Sequence, residues 1–136
     1  MHGQVVIPGE AHGELLVSSE PLSFWGGYDA ASGEIIDRRH PLSGRSGRGR
    51  VLALPFSRGS STTTAVLLEA IRNGSAPAAI LTTGVDSFFA LAAIVAEELY
   101  GITFPVIALD ERDFACLESG STAVLHAGGE VEIGGS

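Results

Sequence analysis

Apolar strands and helices alternate along residues 51–109, and this alternation limits the folds open to the chain. The predicted elements are a strand at 51–54, a helix at 60–73, a strand at 78–81, a helix at 87–99 and a strand at 104–109. Pro55 closes the first strand because proline has no N–H to donate to a sheet. Gly74 and Gly101 end the two helices, and Asp86 is the N-cap of the second. This order predicts an α/β domain.

Weaker patterns flank this region. The predicted flanking elements are strands at 13–17, 122–126 and 130–133 and a short helix at 111–117. The last two strands lie on either side of Gly128-Gly129 and are typical of a hairpin. Residues 24–49 are rich in glycine and turn residues, with one brief strand predicted at 34–36. A loop of this length in a compact domain usually has a function.

Size and composition indicate a single domain over residues 1–136. The chain is 45% hydrophobic and only 18% charged, unlike a disordered polypeptide. Its 18 glycines exclude a helical bundle, because each would cost about 0.5–1 kcal/mol in a helix interior. A (β/α)₈ barrel is also excluded, since it needs about 250 residues.

Net charge and cysteine content restrict the partners. A formal charge of −8 argues against nucleic acid as the main ligand. No apolar run approaches the ~20 residues of a membrane span, and the first residues lack the features of a secretory signal, so we expect a cytoplasmic protein with no membrane partner. Cys116 is the only cysteine and cannot supply the thiolates of an iron–sulfur cluster or a structural zinc site. Any metal must be held mostly by another chain, and Cys116 is expected to pack in or near the core.

Positive charge is concentrated in one segment of this acidic chain. Six of the eight arginines lie between residues 38 and 58, and these are Arg38, Arg39, Arg45, Arg48, Arg50 and Arg58. Two interpretations are open. The segment is either a solvated loop that offsets the surrounding acid, or a site for an anionic ligand or an acidic partner surface.

The start of the first helix, Arg58-Gly59-Ser60-Ser61, is the leading candidate site. The free N–H groups of a helix start lie beside the Arg58 guanidinium, so a carboxylate or phosphate would find several donors there. The same field would stabilise an alkoxide on Ser60, which would then serve as a proton acceptor. The alternative is simple helix capping by serine. The chain lacks lysine and a G-x-S-x-G motif, so neither a Walker phosphate loop nor a hydrolase elbow is predicted.

Other candidates are weaker. His40 precedes Pro41 in the long loop, while Asp29 and Asp37 precede turn residues, so each is either a ligand contact or an ordinary loop residue. The second helix is apolar on nearly all sides. It is therefore either sandwiched between the sheet and another element or faces a partner subunit.

Two stretches resemble the small subunit, or fused small domain, of aconitase X. Residues 21–61 contain S-F-W-G-G-x-D, G-x-I-I-D-x-x-H-P, and R-G-S after an L-x-L-P strand, and residues 86–109 end in GITFPVIAL. The resemblance implies a swivelling β/β/α domain like the mobile fourth domain of aconitase. It also implies a larger partner subunit that holds an iron–sulfur cluster, with no cofactor bound by this chain alone.

The resemblance further implies that the complex eliminates water from a small anionic hydroxy acid, with Ser60 as the proton acceptor. The expected substrate-binding residues are Arg58, Gly59, Ser61, Gly27, Asp29 and His40. Bacterial-type members of the family dehydrate cis-3-hydroxy-L-proline to Δ1-pyrroline-2-carboxylate, and archaeal members dehydrate 5-phosphomevalonate. The lack of lysine near the R-G-S element favours the hydroxyproline substrate. The alternatives are a phosphomevalonate dehydratase subunit and a non-catalytic swivelling domain that binds a small anion or a partner protein.

Overall fold

A computed structural model describes residues 1–58 and 61–134 of the chain. Within these residues seven strands form one sheet: β1 (Gln4–Ile7), β2 (Ala11–Val17), β3 (Val51–Ala53), β4 (Ala79–Thr82), β5 (Val106–Ala108), β6 (Thr122–Leu125) and β7 (Val131–Gly134). The helices described are α1 (Ser61–Asn73), α2 (Ser87–Tyr100) and α3 (Glu111–Ala115). None of these helices is long and apolar enough to cross a membrane.

The sheet is mixed, with the order β1-β5-β4-β3-β2-β6-β7. Strands β2, β3, β4 and β5 are parallel, whereas β1, β6 and β7 pair antiparallel with their neighbours. Beyond these strands, the N–H of Gly3 donates to the carbonyl of Gly129 at 2.9 Å, and that of Val131 donates to Met1 at 2.8 Å. These bonds join the two edges of the sheet, so it curves round an enclosed interior.

The central strands are buried on both faces. Val51, Leu52 and Ala53 of β3 are all fully buried, as expected for parallel strands covered on both sides. Because side chains alternate along a strand, Leu52 packs in a cluster with α1 and α2, while Val51 packs in a second cluster with β6, β7 and α3. The two clusters form the core of the domain.

The second helix has the ends that its sequence predicts. The Asp86 side chain accepts from the first N–H groups of α2, and Gly101 adopts a left-handed conformation (φ 65°) at the other end. Helix α2 packs against α1, β1 and β5, but Leu91, Ile94 and Leu99 are exposed. One side of α2 therefore covers the sheet, and the other is open to solvent in this chain.

Some predicted elements need correction. Strand β1 was not predicted; it is a four-residue antiparallel edge strand that pairs with β5, far away in sequence. The strand predicted at 104–109 covers only 106–108. In place of the strand predicted at 34–36, Ile35 and Glu34 form isolated bridges to Tyr28 and Ser46, because the surrounding turns prevent a longer ladder.

Replacement of Phe89 by alanine tests the core beneath α2. Phe89 is fully buried and packs edge-to-face on Phe24, with ring centroids 5.5 Å apart. We expect Phe89→Ala to lower the free energy of unfolding by about 3–5 kcal/mol, measured by urea denaturation. The matched change Leu91→Ala, at a half-exposed position of the same helix, should cost far less. Equal losses in the two variants would contradict this packing.

Candidate active site

A polar cavity lies where the long loop meets the segment that leads into α1. Its volume is about 480 Å³, within the range of small-molecule sites. The residues that line it are Glu20, Pro21, Ser23, Asp37, Arg39, His40 and Arg58. Three separate parts of the chain thus meet at one cavity.

The cavity contains charges of both signs. Arg39 and Arg58 supply guanidinium groups, and Glu20 and Asp37 supply carboxylates. Guanidinium groups suit a carboxylate ligand, since each presents a planar fork of donors. The carboxylates leave the cavity with both donors and acceptors for a ligand.

The arginine-rich segment is divided between different roles. The Arg50 guanidinium lies 2.9 Å from the Glu14 carboxylate on β2 and is committed to that ion pair. Arg38, Arg45 and Arg48 are exposed. Arg39 and Arg58 are the members of this segment that line the cavity. The exposed arginines fit the interpretation as a solvated loop, and an anionic ligand at Arg39 and Arg58 stays a prediction.

His40 is a buried part of the cavity wall. It is only 7% exposed, and its Nδ1 accepts from the N–H of Leu42 at 3.1 Å. Its Nε2 lies 3.3 Å from the carbonyl of Glu20 and, since Nδ1 is the acceptor, Nε2 is the nitrogen that donates to that carbonyl. His40 thereby ties the loop at 37–42 to residues near the end of β2. This bonding accounts for the histidine without a ligand, and its role in substrate binding stays a prediction.

Gly27 and Asp29 have local structural roles and are not among the described residues that line the cavity. Gly27 is buried, and a Cβ there would lie 2.1 Å from the carbonyl oxygen of Ser23. The Asp29 carboxylate accepts from the N–H of Ala31 at 3.0 Å and from the Ser32 hydroxyl at 2.9 Å. These bonds hold a turn in the long loop. Contact of either residue with substrate remains a prediction.

The predicted helix start is described only in part. Arg58 lines the cavity, and Ser61 is the exposed first residue of α1. Gly59 and Ser60 lie outside the described residues. Sequence reasoning assigned no site role to Glu20, Pro21 or Ser23, and it named Arg39 only as a member of the arginine-rich segment. Local patterns do not show that these residues meet, because they reach one cavity only through the folding of the long loop.

Comparison with known proteins identifies the family. The family model described as the aconitase X swivel domain matches residues 1–133. The chain belongs to the aconitase X swivel domain family. The swivelling α/β fold expected from the sequence resemblance is confirmed.

Named relatives of the swivel domain are dehydratases. This chain is 53% identical over 116 residues to the cis-3-hydroxy-L-proline dehydratase of Pseudomonas aeruginosa. The match covers 82% of this chain and 20% of the relative. The dehydratase of the same name from Hypocrea jecorina is 36% identical, with 93% of this chain and 21% of the relative covered. The swivel domain thus spans about a fifth of the length of these two relatives.

Two further matches are closer to this chain in length. The phosphomevalonate dehydratase small subunit of Methanothermobacter thermautotrophicus is 44% identical over 93 residues, which covers 68% of this chain and 71% of the relative. The crystal structure of Thermococcus kodakaraensis aconitase X in its holo-form superimposes with a TM-score of 0.85 at 32% identity. That match covers 97% of this chain and 95% of the other.

Among residues 1–58 and 61–134, no group of three His, Cys, Asp or Glu side chains is placed to hold a metal ion. The prediction that Cys116 packs in or near the core is wrong, because Cys116 is exposed at the end of α3. The five-residue helix turns this position outward. The described side chains therefore do not fit an iron–sulfur cluster.

The hydrogen bonds in the turn at Asp29 predict that the stability of the folded chain depends on pH. The Ala31 N–H and then the Ser32 hydroxyl hold the pKa of the Asp29 carboxyl below its usual range. The stability contributed by these bonds is present above the pKa of the unfolded chain and is lost as the pH falls through the lower folded-state pKa. NMR titration of the carboxyl carbon should show this low pKa, and Ser32→Ala should raise it. An Asp29 that titrates at its ordinary pKa in both proteins would contradict the turn.

Proposed function

We propose that this swivel domain is the small, mobile part of a two-part hydro-lyase that dehydrates cis-3-hydroxy-L-proline. The observation that carries the proposal is the 53% identity to the Pseudomonas aeruginosa dehydratase over 82% of this chain. The other part is an aconitase X large subunit. The iron–sulfur cluster implied by the family belongs to that subunit in this proposal, since the described residues here offer no ligand set for it.

The charges of the cavity support an amino-acid substrate. Hydroxyproline is a zwitterion, with a carboxylate that pairs with guanidinium groups and an ammonium that pairs with carboxylates. The cavity offers Arg39 and Arg58 for the first and Glu20 and Asp37 for the second. A phosphorylated hydroxy acid carries more negative charge and no cation, so the two carboxylates would repel it.

Elimination of water needs a proton acceptor at the carbon next to the one that loses hydroxide. We assign this role to Ser60, which follows Arg58 by two residues and directly precedes the first residue of α1. Ser60, as its alkoxide, takes the proton from the carbon that bears the carboxylate and becomes a hydroxyl, a double bond forms to the neighbouring carbon, and the hydroxyl group of that carbon leaves as hydroxide. The proton and the hydroxide together make up the one molecule of water that is eliminated. The resulting enamine rearranges to Δ1-pyrroline-2-carboxylate. In this scheme Arg58 and the amides of Gly59 and Ser61 hold the substrate's anionic group.

A second candidate substrate is 5-phosphomevalonate. It is favoured by the 44% identity to the small subunit from Methanothermobacter thermautotrophicus, although over fewer residues. The swivel domain of a phosphomevalonate dehydratase would have the same place in the complex. The two candidate substrates differ in the charges that they would place in the cavity.

Loss of the Ser60 hydroxyl tests the assigned base. In the complex with its large subunit, Ser60→Ala should lower kcat by about 10²–10⁴, since removal of a positioned base has this effect. Thr62→Ala, which removes an exposed hydroxyl two residues later, is the control and should retain wild-type activity. Formation of pyrroline carboxylate is the readout. Activity of Ser60→Ala within tenfold of wild type would remove Ser60 as the base, and the swivel domain alone should be inactive.

Substrate choice is tested with the same complex. We expect turnover of cis-3-hydroxy-L-proline at a kcat/KM at least about 100-fold above that of 5-phosphomevalonate, because a site built for one charge pattern rejects the other. Mass spectrometry of both products provides the measurement. The opposite preference would favour the phosphomevalonate alternative. A well-assembled complex that is inactive on both would favour the non-catalytic binding domain.

A further inference from the structure

The Asp86 carboxylate joins two parts of the domain. It is 8% exposed and accepts four hydrogen bonds, two on each oxygen. Oδ1 accepts from the N–H groups of Phe88 and Phe89 at 3.0 and 3.2 Å. Oδ2 accepts from the N–H and the hydroxyl of Ser57 at 2.7 and 2.8 Å. One oxygen therefore holds the start of α2, and the other holds the segment that leads into α1.

Capping of α2 requires only the first of these oxygens. Asp110 at the start of α3 shows the simpler case, in which a single oxygen accepts from the N–H of Asp113 at 2.7 Å. Serine and asparagine cap helices about as well as aspartate, although each offers only one suitable acceptor. The second acceptor and the charge of Asp86 serve Ser57 instead. Helix capping alone therefore does not explain the two hydrogen bonds that Oδ2 accepts from Ser57.

The segment at 55–58 is held on other sides by neutral groups. The carbonyl of Pro55 accepts from the N–H of Thr83 at 3.1 Å and from its hydroxyl at 3.0 Å. The N–H of Arg58 donates to the carbonyl of Leu22 at 3.2 Å. Between these anchors, Ser57 is bound by Asp86. Charge-assisted bonds of this length are stronger than neutral ones, so the carboxylate is the firmest of the described anchors of this segment.

We propose that Asp86 is a positioning residue, which fixes Ser57 and thereby sets the Arg58 guanidinium at the cavity. The kinetic part of this inference rests on the proposed function, in which Arg58 binds the substrate's anionic group. Misplacement of a binding group by about 1 Å costs up to about 100-fold in rate. Asp86 itself does not touch the substrate and acts only through the segment that it holds.

Asp86→Asn separates the two roles of the residue. The amide oxygen can still cap α2, but the amide nitrogen faces two donors on Ser57 and cannot accept from them. In the full chain, we expect amide hydrogen exchange at Ser57 and Arg58 to speed up by about tenfold or more, while exchange at Phe89 stays within about threefold of wild type. Asp110→Asn, the same change at a simple cap, should leave Ser57 and Arg58 unaffected.

The kinetic test of this proposal uses the complex with the large subunit. Asp86→Asn should lower kcat/KM by about tenfold, chiefly through a higher KM. In an Arg58→Gln background the same change should have an effect within about twofold, because Asp86 acts through Arg58. Ser57→Ala, which removes one of the two donors and leaves the α2 cap intact, should give a smaller loss of the same kind.

The exchange measurement decides the positioning role even if the wild-type complex shows no dehydratase activity, which would instead contradict the proposed function. Unchanged exchange at Ser57 in Asp86→Asn would overturn the proposal. Equal acceleration at Ser57 and Phe89 would also overturn it, since Asp86 would then be only a cap. In an active complex, a full tenfold loss from Asp86→Asn in the Arg58→Gln background would contradict action through Arg58.

Discussion

The parallel strands β3, β4 and β5 carry apolar side chains on both faces, and the rest of the domain depends on this constraint. Such strands are stable only when both faces are covered. Helices α1 and α2 cover one face, and β6, β7 and α3 cover the other. The loops that leave the carboxyl ends of these parallel strands then emerge together at one end of the sheet. Pro55 and Thr83 lie just beyond β3 and β4 at that end.

The long loop between β2 and β3 also buries apolar side chains, although it forms only isolated β-bridges. Phe24 is fully buried, stacked on Tyr28 with ring centroids 5.1 Å apart. The Tyr28 hydroxyl donates to the carbonyl of Ser75 at 2.7 Å, and burial raises the pKa of that hydroxyl. A buried polar group needs such a partner, so this bond ties the loop to the end of α1. The loop is thus a packed part of the domain, and its Arg39 is carried on a fixed frame to the cavity.

The sequence predicts the elements that are specified locally. The two long helices and the strands at their ends have apolar periods, caps and stop residues within a few positions, and Asp86 and Gly101 act as predicted. Strand β1 has no such signal, because its position depends on pairing with β5 about a hundred residues later. The exposure of Cys116 was also missed, since a five-residue helix is too short to show which side is apolar. The placement of Arg39 and Arg58 at one cavity depends on the tertiary path of the loop, which local patterns do not encode.

The bonding around the cavity has a consequence for how a swivel domain works. His40, Asp86 and Thr83 each bond the cavity segments to other parts of the same chain, so the described part of the cavity wall is organised by bonds within this chain. A site organised in advance loses little ordering free energy when it meets its substrate. In the proposed enzyme the motion would then occur between this domain and the large subunit, with the arginines moving as one body. A mobile domain can therefore position a substrate accurately, because the flexibility lies at its boundary and the rigidity within it.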